Sequence, residues 1–140
     1  MALIARYFVD TSAAARARHP GVDSRLQSVV GAGLAATCAP LDAEALFSAR
    51  SPAEYEQTRA RRRTAYEHIP TDDEHWGAAF EAQRALARTG RHRAVGIADL
   101  LICVLASQHR LTVLHYDTGF EMAAEVIEFE HRWVAPRGTI

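Results

Sequence analysis

The chain of 140 residues is long enough for one domain with a real core, and its 49% hydrophobic and 24% charged residues are ordinary for a globular protein. Its formal net charge of −1 argues against a protein that coats nucleic acid through a bulk positive field, but not against an enzyme that grips it locally. All 16 basic residues are arginine, a bias that genome composition explains as readily as phosphate binding does.

Compartment and domain organisation follow from what the sequence lacks. No run approaches the ~18 apolar residues of a membrane helix, and no basic segment followed by an apolar one marks a signal peptide. Cys38 and Cys103 lie inside apolar runs, which favours small core residues in a reducing compartment over a disulfide or a metal site. We therefore expect a cytoplasmic protein with a single domain over residues 1–140.

The first half of the chain predicts two strands and four helices. Short apolar runs predict strands at residues 6–10 and 34–39. The segment His19-Pro20-Gly21 is expected to end the first helix, and Asp23 or Ser24 to cap the second. Ser51 caps a polar fourth helix. The four predicted helices cover residues 12–18, 23–30, 41–50 and 53–67.

The second half begins with a break at residues 68–70, a short edge segment, before a helix that Thr71 caps and Gly90 ends. One apolar face of that helix is predicted to carry Trp76, Ala79, Phe80, Gln83 and Leu86. The remaining elements are a basic loop at 91–96, a buried helix at 97–108, a strand at 111–116, a helix at 118–124, a strand at 126–129 and a tail at 131–140. Strands that alternate with helices predict an α/β fold with a mainly parallel sheet.

Four acidic residues occupy element ends where a core would not select them. Asp10 and Asp117 each end a predicted strand, while Glu44 and Asp99 lie early in predicted helices. In a parallel sheet these ends meet at one edge, which is where ligands bind in open α/β folds. We therefore predict that the four carboxylates converge.

Convergence without a cation is unfavourable. Two unit charges ~4 Å apart repel by about 1 kcal/mol in water and about 4 kcal/mol at an effective dielectric near 20. Mg²⁺ or Mn²⁺ prefers carboxylate and water oxygens, and one or two such ions can activate a water and neutralise charge on a phosphodiester. Each acid also has an ordinary interpretation: a helix N-cap for Asp10, a solvated position for Glu44, a dipole partner for Asp99 and a turn for Asp117.

The chain resembles PIN-domain proteins, and within them the VapC-type toxin ribonucleases of bacterial toxin–antitoxin pairs. The resemblance covers nearly the whole chain, and its order and spacing are more specific than any one segment. It is carried by Phe8-Val9-Asp10-Thr11-Ser12, Glu44-Ala45-Leu46-Phe47-Ser48-Ala49-Arg50, Ile97-Ala98-Asp99-Leu100-Leu101-Ile102 and Leu111-Thr112-Val113-Leu114-His115-Tyr116-Asp117-Thr118-Gly119-Phe120.

This resemblance implies a PIN-like three-layer α/β/α fold with a sheet of four to five strands, and Mg²⁺- or Mn²⁺-dependent endonucleolytic hydrolysis of RNA. It assigns the acidic metal-binding quartet to Asp10, Glu44, Asp99 and Asp117. It also implies a homodimer and a VapB-type antitoxin whose segment occludes the acidic groove. Many relatives carry a further Asp where this chain has Gly119, so the number of metal ions stays open.

Several other residues are candidates for supporting roles. Thr11 and Ser12 follow the first acid and are candidates to support the site, although Ser12 is equally well explained as a helix cap. Arg91 and Arg93 precede Asp99 and are candidates for RNA contacts. An ordinary surface loop explains these two residues equally well. The arginine run at 59–63 favours a solvated helix face over an RNA or antitoxin contact, and Arg50 is a candidate ion-pair partner of Glu44.

Two alternative functions remain. The first is a PIN-like module with weak or no catalysis that binds RNA or protein, and Gly119 favours it slightly. The second is a phosphatase of the haloacid-dehalogenase type, which also places an Asp after its first strand. That chemistry wants a second Asp where this chain has Ser12 and a lysine that this chain does not contain, so it is the weakest of the three.

Overall fold

A five-stranded sheet forms the centre of the molecule in the computed structural model, which describes residues 3–140; the first two residues of the predicted domain lie outside that range. The strand order is β3-β2-β1-β4-β5 and every neighbouring pair is parallel. The strands are β1 (Tyr7–Val9), β2 (Ala35–Thr37), β3 (Glu67–His68), β4 (Thr112–His115) and β5 (Glu130–Trp133).

Helices connect and cover these strands. They are α1 (Thr11–Ala14), α2 (Pro20–Gly31), α3 (Ala39–Phe47), α4 (Pro52–Ala65), α5 (Asp73–Ala87), α6 (Ile97–His109) and α7 (Gly119–Ala123). Because successive strand residues face opposite sides, Phe8 and Val113 belong to one core with α5 and α6, while Val9 and Leu114 belong to a second core with α2. Two cores on one sheet make three layers, so the predicted α/β/α fold is confirmed.

The strand register sets the position of the site. Phe8 pairs with Val113 and Val9 with Leu114, and the Asp10 N–H donates to the carbonyl oxygen of Leu114 at 2.9 Å. The chain after β1 and the chain after β4 therefore leave the sheet side by side. Their first side chains project at the same edge, as the parallel topology predicts.

The start of α2 differs from the prediction. Residues 20 and 21 were expected to break the chain, yet Pro20 is the first residue of α2 and His19 is its N-cap residue. Proline is well tolerated there because its missing N–H needs no helical partner. The helix before it, α1, is correspondingly shorter than the predicted 12–18 and ends at Ala14.

Helix α5 also departs from the prediction at its cap and on its face. Asp72, not Thr71, is the N-cap, and it forms a reciprocal capping box with His75. Ala79 and Leu86 are buried as predicted, whereas Phe80 is 56% exposed. The face that meets α6 is thus narrower than the predicted one and uses small residues.

The last strand is displaced along the sequence. Residues 126–129 were predicted as a strand, but they form the turn after α7, and β5 lies at Glu130–Trp133, beginning one residue before the predicted tail. Cys38 and Cys103 are buried free thiols, as predicted. Within residues 3–140, no helix is long and apolar enough to cross a membrane.

Candidate active site

The four predicted acids come from four different elements. Asp10 follows β1, Asp117 follows β4, Glu44 lies on α3 and Asp99 lies in the first turn of α6. Their charges act on one another: those of Asp10, Glu44 and Asp117 all raise the pKa of Asp99. The fold therefore brings the predicted quartet into one electrostatic neighbourhood at the carboxyl edge of the sheet.

Asp10 uses its two carboxylate oxygens differently. Its Oδ2 accepts hydrogen bonds from the Ser12 N–H at 3.0 Å and from the Ser12 hydroxyl at 2.6 Å, which makes Asp10 the N-cap of α1. Its Oδ1 is buried and has no hydrogen-bond partner among the described residues. The helix-cap interpretation is thus correct for one oxygen, and it leaves the other free for a ligand.

The two residues after Asp10 each contact one acid. The Thr11 hydroxyl donates to Glu44 Oε2 at 2.7 Å and joins the start of α1 to α3. The Ser12 hydroxyl, besides donating to Asp10, accepts the Tyr116 N–H at 2.8 Å and so joins the ends of β1 and β4. These contacts fix the relative positions of acids that lie far apart in the sequence.

Asp117 is held from both sides. Its Oδ1 accepts the Gly119 N–H at 2.8 Å, and its own N–H donates to His115 Nδ1 at 3.1 Å. Gly119 is a close neighbour, because a Cβ added there would lie 3.3 Å from Asp117 Oδ1. The residue type that departs from the usual family pattern therefore leaves room for the Asp117 carboxylate.

His115 is a residue that the sequence prediction missed. It is fully buried, and burial together with the neighbouring His131 lowers its pKa to about 4. Because its Nδ1 accepts the Asp117 N–H, its proton is assigned to Nε2, which lies 2.9 Å from His131 Nδ1. The spacing His115-Tyr116-Asp117 at the end of a strand was the available signal.

The buried acids resist ionisation. Burial is the main cause that raises the pKa of Asp99 to about 7, and the three other carboxylates add to it. The pKa of Asp10 is also raised, first by burial and then by Glu44 and Asp117, although the Ser12 hydrogen bonds oppose the shift. A site that disfavours its own negative charge is suited to receive a cation.

The four acids offer oxygen donors of the kind that a divalent metal ion binds. Within residues 3–140, no three His, Cys, Asp or Glu side chains stand close enough together to hold an ion as they are positioned. The unpartnered Asp10 Oδ1 and the mutually raised pKa values nevertheless describe an oxygen donor set that lacks a positive partner. Such donors fit a hard cation that keeps several water ligands, which Mg²⁺ does.

The candidate RNA-contact arginines differ in their surroundings. Arg91 is ion-paired with Glu125 and donates to the Thr89 hydroxyl at 2.9 Å, whereas Arg93 is exposed in the loop before α6. Arg50 contacts Glu54 at 3.7 Å, so the predicted pairing with Glu44 is wrong.

The arginine run on α4 was predicted to be a solvated helix face, but it is not uniformly solvated. Arg62 contacts Asp42 at 2.6 Å and its side chain is only 12% exposed. The partner lies on α3, twenty residues earlier, and no local pattern in the sequence indicates it.

Comparison with known proteins identifies the family. The sequence model of the PIN domain matches residues 7–126. Ribonuclease VapC21 of Mycobacterium tuberculosis is 41% identical over 134 residues, which span 96% of this chain and 97% of the relative. Ribonuclease VapC51 of the same organism is 33% identical over 135 residues, again 96% of this chain and 97% of the relative.

Solved structures show the same fold. The DNA-bound VapBC structure from Salmonella typhimurium contains a chain that matches with a TM-score of 0.70 at 16% identity, over 94% of this chain and 99% of that one. A chain of VapBC-5 from Mycobacterium tuberculosis, from the VapBC family of toxin–antitoxin systems, matches with a TM-score of 0.59 at 23% identity, over 92% and 98%. The chain belongs to the PIN domain family and, within it, to the VapC ribonucleases.

Proposed function

We propose that this protein is a metal-dependent endoribonuclease and the toxin of a VapBC-type toxin–antitoxin pair. Relatives named ribonuclease that align over nearly the full chain support the reaction class. The observation that carries the metal dependence is the buried, unpartnered Oδ1 of Asp10 beside three further carboxylates. Asp10, Glu44, Asp99 and Asp117 would hold Mg²⁺ or Mn²⁺, directly or through water.

The side chains of the site have separable tasks in this proposal. The bound ion supplies Lewis-acid activation of a water and charge neutralisation at the phosphodiester. Asp10 offers Oδ1, because Ser12 occupies Oδ2. Asp99, whose pKa is about 7, holds a proton on its carboxyl for part of the time at neutral pH and releases it when a cation arrives. Thr11 keeps Glu44 turned toward the same site.

The substrate and partner follow from the same family membership. RNA would enter at the carboxyl edge of the sheet, where the acids lie, and a toxin acting on RNA would work in the cytoplasm. Structures described as VapBC complexes support a VapB-type antitoxin as the partner. A segment of that antitoxin would occlude the acidic groove and thereby block access of RNA.

A homodimer is the assembly that we propose. Phe47 at the end of α3 is 92% exposed and Tyr55 on α4 is 41% exposed, so apolar side chains lie uncovered around the α3–α4 corner. Aromatic residues are enriched at protein–protein interfaces, which makes this corner the candidate contact surface. Light scattering coupled to size-exclusion chromatography would measure the mass, and a Phe47→Ser variant should shift it toward the monomer.

The test of the activity compares Asp99→Asn with Asp23→Asn, which changes an exposed acid on α2. Purified protein is incubated with total RNA in Mn²⁺, in Mg²⁺ and in EDTA, and the 5′ ends that appear are sequenced. We expect defined cuts with the wild type and Asp23→Asn in either metal, and none in EDTA or with Asp99→Asn. Unchanged metal binding and cleavage in both Asp99→Asn and Asp10→Asn would refute the proposal.

A non-catalytic PIN-like binding module is the second candidate. Two observations favour it: Gly119 replaces an acid that many relatives carry, and the described side chains do not form a preassembled metal site. This candidate predicts RNA or protein binding without new 5′ ends in any metal. Cleavage that EDTA abolishes would rule it out.

A further inference from the structure

A second concave site lies on the same edge of the sheet as the acids. It has a volume of about 420 Å³ and is formed by α3, α4 and the ends of β2 and β3. Strands β2 and β3 lie one and two places from β1 in the sheet order, so at ~4.8 Å per strand the strand ends that line the pocket are ~5 and ~10 Å from the end of β1 across the sheet. Its polar lining is Thr37, Asp42, Arg59, Arg62, Arg63, Tyr66 and His68.

The arginines of this pocket share one face of α4. Positions 59, 62 and 63 are separated by three and four residues, which places them together on a helix surface. Arg61 is exposed and does not line the pocket. The basic run that looks evenly distributed in the sequence is therefore divided by the helix into a pocket face and a solvent face.

Arg62 is fixed in place before any ligand arrives. Its Nε donates to Asp42 Oδ1 at 2.6 Å, its Nη2 donates to the Thr37 hydroxyl at 2.9 Å, and its guanidinium lies 4.6 Å from the Tyr66 ring centroid. Thr37 is itself buried and donates to Asp42 at 2.7 Å. A guanidinium has five N–H donors, of which these contacts use two, and Arg62 lines the pocket.

The charge of the pocket is opposite to that of the neighbouring acidic site. Three arginines face a single aspartate, which leaves the pocket positive in a chain whose net charge is −1. An acidic site repels a polyanion, and its neighbouring carboxylates raise that repulsion further. A positive pocket one or two strands away would offset this repulsion for an RNA strand that crosses both sites.

We propose that this pocket binds a backbone phosphate of the RNA strand, one or two nucleotides from the bond that the acidic site cuts. The inference rests on the proposed ribonuclease function and adds a substrate-binding site to it. Arg59 and Arg63, which are exposed, contact the phosphate, and the preset donors of Arg62 orient it. Contacts of this kind position the strand without reading its sequence.

The test uses the double variant Arg59→Gln/Arg63→Gln, which leaves the Arg62 network intact. Its matched control is Arg61→Gln/Arg84→Gln, which removes the same charge from exposed positions outside the pocket. Binding of a fluorescein-labelled single-stranded RNA of roughly 15 nucleotides is measured by anisotropy in EDTA, so that no cleavage occurs. The salt concentration is varied between about 50 and 200 mM.

We expect the pocket variant to bind this RNA on the order of tenfold more weakly, with a salt slope shallower by ~0.7, since one phosphate contact on a single strand contributes ~0.7. The control should stay within about twofold of wild type. In Mn²⁺ the pocket variant should show a raised KM and an unchanged kcat. Equal losses in the pocket variant and the control, or a wild type that binds no RNA, would overturn the inference.

The outcomes separate this inference from the proposed function. If the wild type never cuts RNA, and the pocket variant but not the control binds RNA more weakly, the ribonuclease proposal is refuted and the phosphate site is retained. If the wild type cuts RNA and the pocket variant has the same KM, the ribonuclease proposal is retained and the phosphate site is refuted. A pocket variant that keeps its RNA affinity but no longer binds the antitoxin would make the pocket a protein-binding site and overturn the inference.

Discussion

Replacing Asp99 by Asn should stabilise the metal-free protein, and more so at higher pH. Burial and three neighbouring carboxylates raise the pKa of Asp99 from 3.8 to about 7 in the folded protein. The folded state therefore holds this proton more tightly than the unfolded chain does. Between these two pKa values the unfolding free energy falls as pH rises, and above about pH 7 the loss is complete. Asn does not titrate, so the Asn variant lacks this fall in unfolding free energy between the two pKa values.

The size of the loss in unfolding free energy follows from the pH range over which folded and unfolded states differ in the protonation of Asp99. Between about pH 5 and about pH 8, only the roughly two pH units below the pKa of Asp99 contribute. Each lowers the unfolding free energy of the wild type by about 1.4 kcal/mol. Allowing for the partial exposure of the carboxyl, the loss is about 2–3 kcal/mol. At about 3 °C per kcal/mol for a chain of this size, the Tm advantage of the Asn variant should grow by roughly 6–9 °C.

Thermal unfolding followed by circular dichroism in EDTA measures this difference. Asp23→Asn, at an exposed position on α2, serves as the control and should keep a constant Tm offset from wild type across the same pH range. Added Mn²⁺ should raise the Tm of wild type more than that of Asp99→Asn, because it cancels the repulsion that the variant already lacks. An offset between Asp99→Asn and wild type that is equal at both pH values would refute the assignment of Asp99 to a shared acidic site.

Three further substitutions probe the surroundings of the site. Ser12→Ala loses both hydrogen bonds of the hydroxyl and should lower the unfolding free energy by about 1–3 kcal/mol in urea titrations, together with the cleavage rate; a loss below about 0.5 kcal/mol would contradict the described contacts. Arg62→Leu removes two hydrogen bonds and leaves the Asp42 carboxylate without its cation, so it should cost about 2 kcal/mol, whereas Arg61→Leu should stay within about 0.5 kcal/mol; equal effects would argue against the buried network. Gly119→Ala places a Cβ 3.3 Å from Asp117 Oδ1 and should weaken Mn²⁺ binding, measured by calorimetry, with little change in Tm. Unchanged Mn²⁺ affinity would show that the Asp117 carboxylate does not need that space.

The layered fold was predictable because the sheet is buried. Apolar runs such as 111–116 can satisfy a strand with helices on both faces, and the alternation of strands and helices then predicts parallel pairing. The last strand was not predictable by this rule. Glu130–Trp133 is an edge strand with half-exposed residues, so its composition follows solvent exposure, while the apolar turn at 126–129 packs Val126, Ile127 and Phe129 against the core.

The position of the acids could be predicted, but their partners could not. Asp10 and Asp117 end strands, and the topology alone brings strand ends to one edge. Which hydroxyl meets which acid depends on side-chain rotamers. The contact of Arg62 with Asp42 depends on how α3 and α4 pack, a tertiary fact that leaves no periodic signal in the sequence. Such contacts are visible only once the elements have been assembled.

The divided use of the Asp10 carboxylate has a consequence for inactive alleles. Asn at this position can keep its amide oxygen on the Ser12 donors and thus preserve the start of α1, while it presents an NH₂ group where a cation needs an acceptor. Loss of activity would then occur without loss of folding. Under the proposed function, a cell that also carries an active copy would accumulate an intact, harmless copy that competes for the antitoxin and thereby leaves more of the active protein uninhibited.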